Sequence, residues 1–157
     1  MNAQRPRSKK RSAGKERRSP TPVFLIDQCL GRHALATALA ARCARAETLA
    51  RHFADDTPDH EWLAVAGKRR WVVLTKDSHF RQRPLELAAI LASNVRAFVL
   101  SAGKLTSAQQ VEAFERALPR LLRLSAKHLG AMIGNVTASG SVQVYSRAQL
   151  TQWLKAL

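Results

Sequence analysis

Trp71-Val72-Val73-Leu74-Thr75-Lys76-Asp77 is an unbroken apolar run that ends abruptly in a cation and an acid. Continuous rather than alternating hydrophobicity describes a strand buried on both faces, and so a sheet with helices packed on each side. A second run of this kind, Val23-Phe24-Leu25-Ile26, follows the breaker Ser19-Pro20-Thr21-Pro22 and stops at Asp27. A third, Arg96-Ala97-Phe98-Val99-Leu100, lies further on. Two of these strands thus end in aspartate. In open parallel sheets ligands bind outside the carboxyl ends of the strands, where both acids would lie.

The segments between the strands read as helices. Gly31 to about Arg42 is rich in Ala and Leu, and Cys43 to His52 is a weaker candidate for a further strand. Asp55-Asp56-Thr57-Pro58 forms a turn, after which Thr57 or Asp59 caps a helix that carries Trp62, Leu63, Val65 and Ala66 and ends near Arg70. Pro84 opens a helix over Leu85 to Ser93, at the position where a missing N–H costs nothing. A long helix capped by Thr106 or Ser107 buries Val111, Phe114, Leu118, Leu121 and Leu122, with a kink expected at Pro119. Ala131–Val136 and Val142–Tyr145 pair as a hairpin through Ala138-Ser139-Gly140, and Arg147–Leu157 closes the chain as a short helix. This alternation implies an α/β three-layer sandwich with a mainly parallel central sheet and an antiparallel edge from the C-terminal hairpin.

The chain has 157 residues and a net charge of +15. Met1 to Ser19 holds eight cations against one acid, a net of +7, and leaves +8 for the body. That polar, aromatic-free segment cannot bury enough apolar surface to order itself, so residues 1–20 are expected to be a disordered basic tail, 21–146 the folded domain and 147–157 the closing helix. No stretch reaches the ~20 apolar residues of a membrane span, and no secretory apolar run follows the basic start. A cytoplasmic location is expected, with Cys29 and Cys43 reduced and the sequon Asn135-Val136-Thr137 unread.

The minority charge is the more informative. All five aspartates fall between residues 27 and 77. Acids gathered at one sheet edge repel, and a bound cation keeps them ionised together. Oxygen-only ligands select a hard ion, Mg²⁺ or Mn²⁺, which lowers the pKa of a bound water and stabilises a leaving oxygen in phosphodiester cleavage. A basic body supplies the affinity for the phosphate backbone. The plainer reading of Asp55, Asp56 and Asp59 is turn and helix capping, whereas Asp27 and Asp77, each following a buried strand, favour a ligand role. Glu61 reads as a solvated helix residue. Gly103-Lys104 is no phosphate loop, because Phe98 and Leu105 break the pattern. A phospho-accepting receiver domain is disfavoured because Gln28 follows Asp27 where an acidic pair is needed.

Asp56-Thr57-Pro58-Asp59-His60-Glu61-Trp62-Leu63, the Trp71 to Asp77 run and Arg81-Gln82-Arg83-Pro84-Leu85-Glu86 together resemble the PIN-like domains of the VapC toxin group. The resemblance spans nearly everything but the tail, and its Thr-Lys-Asp ending is the more specific part. It implies a PIN-type α/β/α sandwich and a Mg²⁺- or Mn²⁺-dependent endoribonuclease, commonly the toxin of a toxin-antitoxin pair. Asp27, Asp59 and Asp77 are then the catalytic, metal-binding acids, with Asp56 as a supplement. Ser78-His79-Phe80 departs from the pattern by lacking a further acid, which bears on the second metal position and leaves His79 as its candidate replacement. Lys76, Arg81 and Arg83 are the expected RNA-phosphate contacts. The expected partners are an RNA substrate, a cognate antitoxin and a second copy of the chain. The competing reading is a PIN-like module that grips RNA or a protein without cutting. Deleting residues 1–19 is expected to weaken RNA binding and flatten its salt dependence without abolishing cleavage; an unchanged slope of affinity against salt would dismiss a role for the tail.

Overall fold

The computed structural model describes residues 21–157, so the basic tail expected at residues 1–20 lies outside the described residues. Six strands form one sheet: β1 (Val23–Ile26), β2 (Arg45–Thr48), β3 (Val72–Thr75), β4 (Arg96–Leu100), β5 (Met132–Val136) and β6 (Val142–Tyr145). Their order is β2-β1-β3-β4-β5-β6, with every pair parallel except the closing β5-β6 pair. The helices are α1 (Ala34–Ala41), α2 (Asp59–Lys68), α3 (Pro84–Ala92), α4 (Ser107–Lys127) and α5 (Arg147–Ala156).

The continuous apolar strands are buried on both faces, as their composition requires. Phe24, Ile26, Val72, Leu74 and Phe98 point to one side, where Leu35 and Leu39 of α1 and Phe114, Leu118 and Leu121 of α4 cover them. Leu25, Val73, Ala97, Val99 and Ile133 point to the other, against Trp62 and Leu63 of α2, Leu87 and Ile90 of α3 and Leu150 of α5. Successive side chains of a strand alternate between faces, so each run feeds two cores and the domain is a three-layer α/β/α sandwich.

Several boundaries differ from the sequence expectation for physical reasons. The weak strand shrinks to β2, followed by a 3₁₀ turn over Leu49–Arg51; β2 is an edge strand, half-exposed, and so carries no apolar run. Neither Thr57 nor Asp59 caps α2: Pro58 occupies the cap and Asp59 is the first helical residue, where its carboxylate meets the positive end of the helix dipole. Thr106 does cap α4 in a reciprocal box with Gln109, and the helix continues through Pro119 because buried Leu118 and Leu121 hold both sides of it. The hairpin turns at Gly140, whose φ of +85° suits glycine and whose missing Cβ leaves room for Arg116.

Not all of the body's positive charge faces solvent. Arg96 is buried at the start of β4, where its guanidinium donates to the carbonyls of Ser125 and, at 2.8 Å, Arg70. Burial, with the neighbouring Arg70 charge, pushes its pKa below the usual arginine value. Among the described residues no helix is long and apolar enough to cross a membrane.

Candidate active site

The register of the sheet decides which polar residues meet. Asp27 N–H donates to the Leu74 carbonyl at 2.9 Å, which continues the β1-β3 ladder by one residue and sets Asp27 level with Thr75. Thr75 pairs with Val99, and Val99 with Asn135. Asp27, Thr75, Val99 and Asn135 therefore form one row across the carboxyl edge, two residues beyond the buried row Leu25, Val73, Ala97 and Ile133 and on the same face.

Thr75 ties the two strand-end acids together. Its fully buried hydroxyl donates to Asp27 Oδ2 at 2.8 Å and accepts from the Asp77 N–H at 3.0 Å. Cys29 Sγ lies 3.5 Å from the same Asp27 oxygen and 3.4 Å from Thr75 Oγ1, and receives the Lys76 N–H at 3.5 Å. Desolvation pushes the Asp27 carboxyl above the ordinary aspartate value; the Thr75 and Cys29 hydrogen bonds oppose this, and the charge of Asp59 adds to it. Burial, then the Asp27 charge, likewise raise the Cys29 thiol.

Asp59 is fixed from within its own helix, where the Trp62 indole N–H donates to Asp59 Oδ1 at 3.0 Å. Asp77 heads the 3₁₀ turn over Ser78–Gln82, and its Oδ1 accepts from the His79 backbone at 2.9 Å and lies 3.1 Å from His79 Nδ1. Arg83 bridges the two acids: one guanidinium nitrogen lies 3.0 Å from Asp77 Oδ2, 3.4 Å from Asp59 Oδ2 and 4.0 Å from Glu86 Oε1. Asp27, Asp59 and Asp77 thus share one edge. Asp56 is exposed and joins none of these bonds, while its neighbour Asp55 accepts from Gln28.

The three expected phosphate contacts have different surroundings. Lys76 is exposed. Arg83 faces the acids. Arg81 lies over the rings of Tyr145 and Trp153, at 4.2 and 4.4 Å from their centroids. Sequence reasoning passed over Thr75 and Glu86 as site residues although both stand in the quoted motifs; the Trp62 contact had a usable signal in its i, i+3 spacing from Asp59.

The donor chemistry of Asp27, Asp59 and Asp77 fits a hard divalent cation, since all are carboxylates and two already share a positive charge. With Arg83 between them, the side chains are not drawn into a closed set: among the described residues no three His, Cys, Asp or Glu groups are arranged to hold a metal ion.

A family model described as PIN like domain matches residues 22–102, just over half of the chain, and includes all three acids and Arg83. The chain belongs to the PIN-like domain family. Such domains are generally nucleases, and membership indicates a nuclease-type function. No curated protein and no solved structure matches the chain.

The raised Asp27 pKa makes a stability prediction whose sign is determined. Because the folded value lies above the unfolded one, the contribution of this residue is fully present below the ordinary aspartate value and is lost as pH rises through the folded value. In chelator, Asp27→Asn is expected to raise the urea midpoint at about pH 7, with the gain shrinking toward about pH 4. A gain independent of pH would show that the buried charge is not its source.

Proposed function

We propose that the protein is a Mg²⁺- or Mn²⁺-dependent endoribonuclease and the toxin of a type II toxin-antitoxin pair. The observation that carries the reading is the convergence of Asp27, Asp59 and Asp77 at the carboxyl edge of a PIN-like sheet, with a cationic group already held between two of them. These three residues would hold the metal ion, which when bound supplies an acidified water and charge stabilisation for phosphodiester hydrolysis.

The chain's own groups set up the rest. The Thr75 hydroxyl orients one Asp27 oxygen. The Trp62 indole orients Asp59 Oδ1, while Asp59 Oδ2 faces Arg83. Lys76, exposed beside Asp77, meets the RNA backbone, and Arg83 turns from the acids to a substrate phosphate once they have another counter-charge. The toxin assignment rests on the resemblance of the Thr75-Lys76-Asp77 and Arg81 to Glu86 segments to the VapC group, and the partner it brings is an antitoxin that covers this edge.

A second reading, RNA or protein binding without cleavage, is favoured by the same Arg83 contact, which neutralises acids that a nuclease needs free. One set of measurements separates them. With Mn²⁺ and single-stranded RNA the wild-type chain is expected to cleave, and Asp27→Asn and Asp77→Asn to lose at least ~10²-fold in rate. Wild-type protein that binds RNA but cuts none with either ion would establish the second reading. Removing the guanidinium leaves Asp59, Asp77 and Glu86 without their shared cation, so Arg83→Gln is expected to tighten Mn²⁺ binding about tenfold by calorimetry and to lower the melting temperature in chelator.

A further inference from the structure

A cavity of about 260 Å³ opens at the same carboxyl edge, on the β4-β5 side of the acids. Phe80, Val99 and Ile133 line it with apolar surface, and Arg81, Gln82, Ser101 and Asn135 are among its polar lining residues. Ser78, the residue after Asp77, also lines it, so the cavity begins where the acidic site ends.

Three features suit it to a flat, polar-edged ligand. The first is the contrast of walls: fully buried Phe80 and nearly buried Val99 and Ile133 offer apolar contact, while Asn135 presents both a donor and an acceptor from a rigid strand. No hydrogen bond engages the Asn135 carboxamide among the described residues, although its neighbours on either side in β5 are buried. The second is Arg81. Its guanidinium is held over the Tyr145 and Trp153 rings, themselves packed at 4.8 Å, and no carboxylate pairs with it among the described residues. Its plane is preorganised without its N–H donors being consumed. The third is register. Asn135 stands in the row of Thr75 and Asp27, two strands beyond Thr75, a separation of roughly 10 Å at normal strand spacing. A single strand laid along that edge would put a phosphate at the acids and a neighbouring base over the cavity.

We propose that this cavity is a base-recognition subsite: it takes one unstacked nucleobase of a single-stranded RNA, next to the phosphate held at the acids, and reads its edge with Asn135 and Arg81. The inference rests on the ribonuclease reading for its substrate and goes beyond it by assigning where sequence preference arises. Ile133 and Asn135 lie outside the stretch matched by the family model, so this half of the subsite is contributed by the C-terminal third of the chain.

The test titrates the full-length Asp27→Asn chain with each of the four ribonucleoside 5′-monophosphates, and with ribose 5-phosphate, while following the Asn135 side-chain amide by NMR. One monophosphate is expected to shift that amide and to bind about tenfold tighter than the weakest of the four and than ribose 5-phosphate. Asn135→Leu is expected to erase that difference; Ser101→Tyr, which fills the mouth from an exposed position, does so if the strand variant fails to fold. Equal binding of all four, binding of ribose 5-phosphate as tight as the best nucleotide, or discrimination that survives both substitutions would overturn the subsite. The two readings fail separately. Discrimination without any RNA cleavage by the wild type removes the nuclease and keeps the subsite, whereas cleavage without discrimination removes the subsite alone.

Discussion

Carboxylates brought to one edge of a protein repel unless a positive charge is placed among them, and here Arg83 is that charge. A single guanidinium nitrogen reaches Asp59 at the start of α2 and Asp77 after β3, which joins two elements that share no strand pairing at that point. Asp27 is held differently, by a hydrogen bond from buried Thr75, and its pKa is raised by burial, with the charge of Asp59 adding to it. The edge is therefore balanced on one side and frustrated on the other. Residues kept in unfavourable electrostatic surroundings belong to function more often than to stability, and Asp27 is the clearest instance in this chain.

The same edge explains how the positive charge is apportioned. Arg96 is spent inside the fold on two carbonyls, Arg81 on an aromatic pair, Arg83 on the acids, and Lys76 remains exposed beside them. A high net charge predicts attraction to phosphate, but it does not say which cations are available. The arginines closest to the site stand at different places: Arg83 beside the acids, Arg81 in the lining of the cavity. Membership of the PIN-like family makes a nuclease-type function the frame for both.

The layers of the fold were legible because burial on two faces leaves a mark in composition: Val23–Ile26, Val72–Thr75 and Arg96–Leu100 are apolar runs, and each became an interior strand. β2 was nearly illegible, since an edge strand has one neighbour and needs no such run. The start of α2 was misread by one residue because Thr, Pro and Asp all suit a helix start and only the backbone path selects among them.

By itself the sequence determined that two buried strands end in acids and that a parallel sheet would bring both to one edge, because strand direction alone places those ends together. Only the tertiary structure decided that Asp59 joins them through Arg83, that Asp56 does not, and that Asn135, 108 residues from Asp27, stands in the same row. Those relations depend on strand order, register and the direction a long side chain takes. Each is set by the packing of whole layers, and none by spacing along the chain.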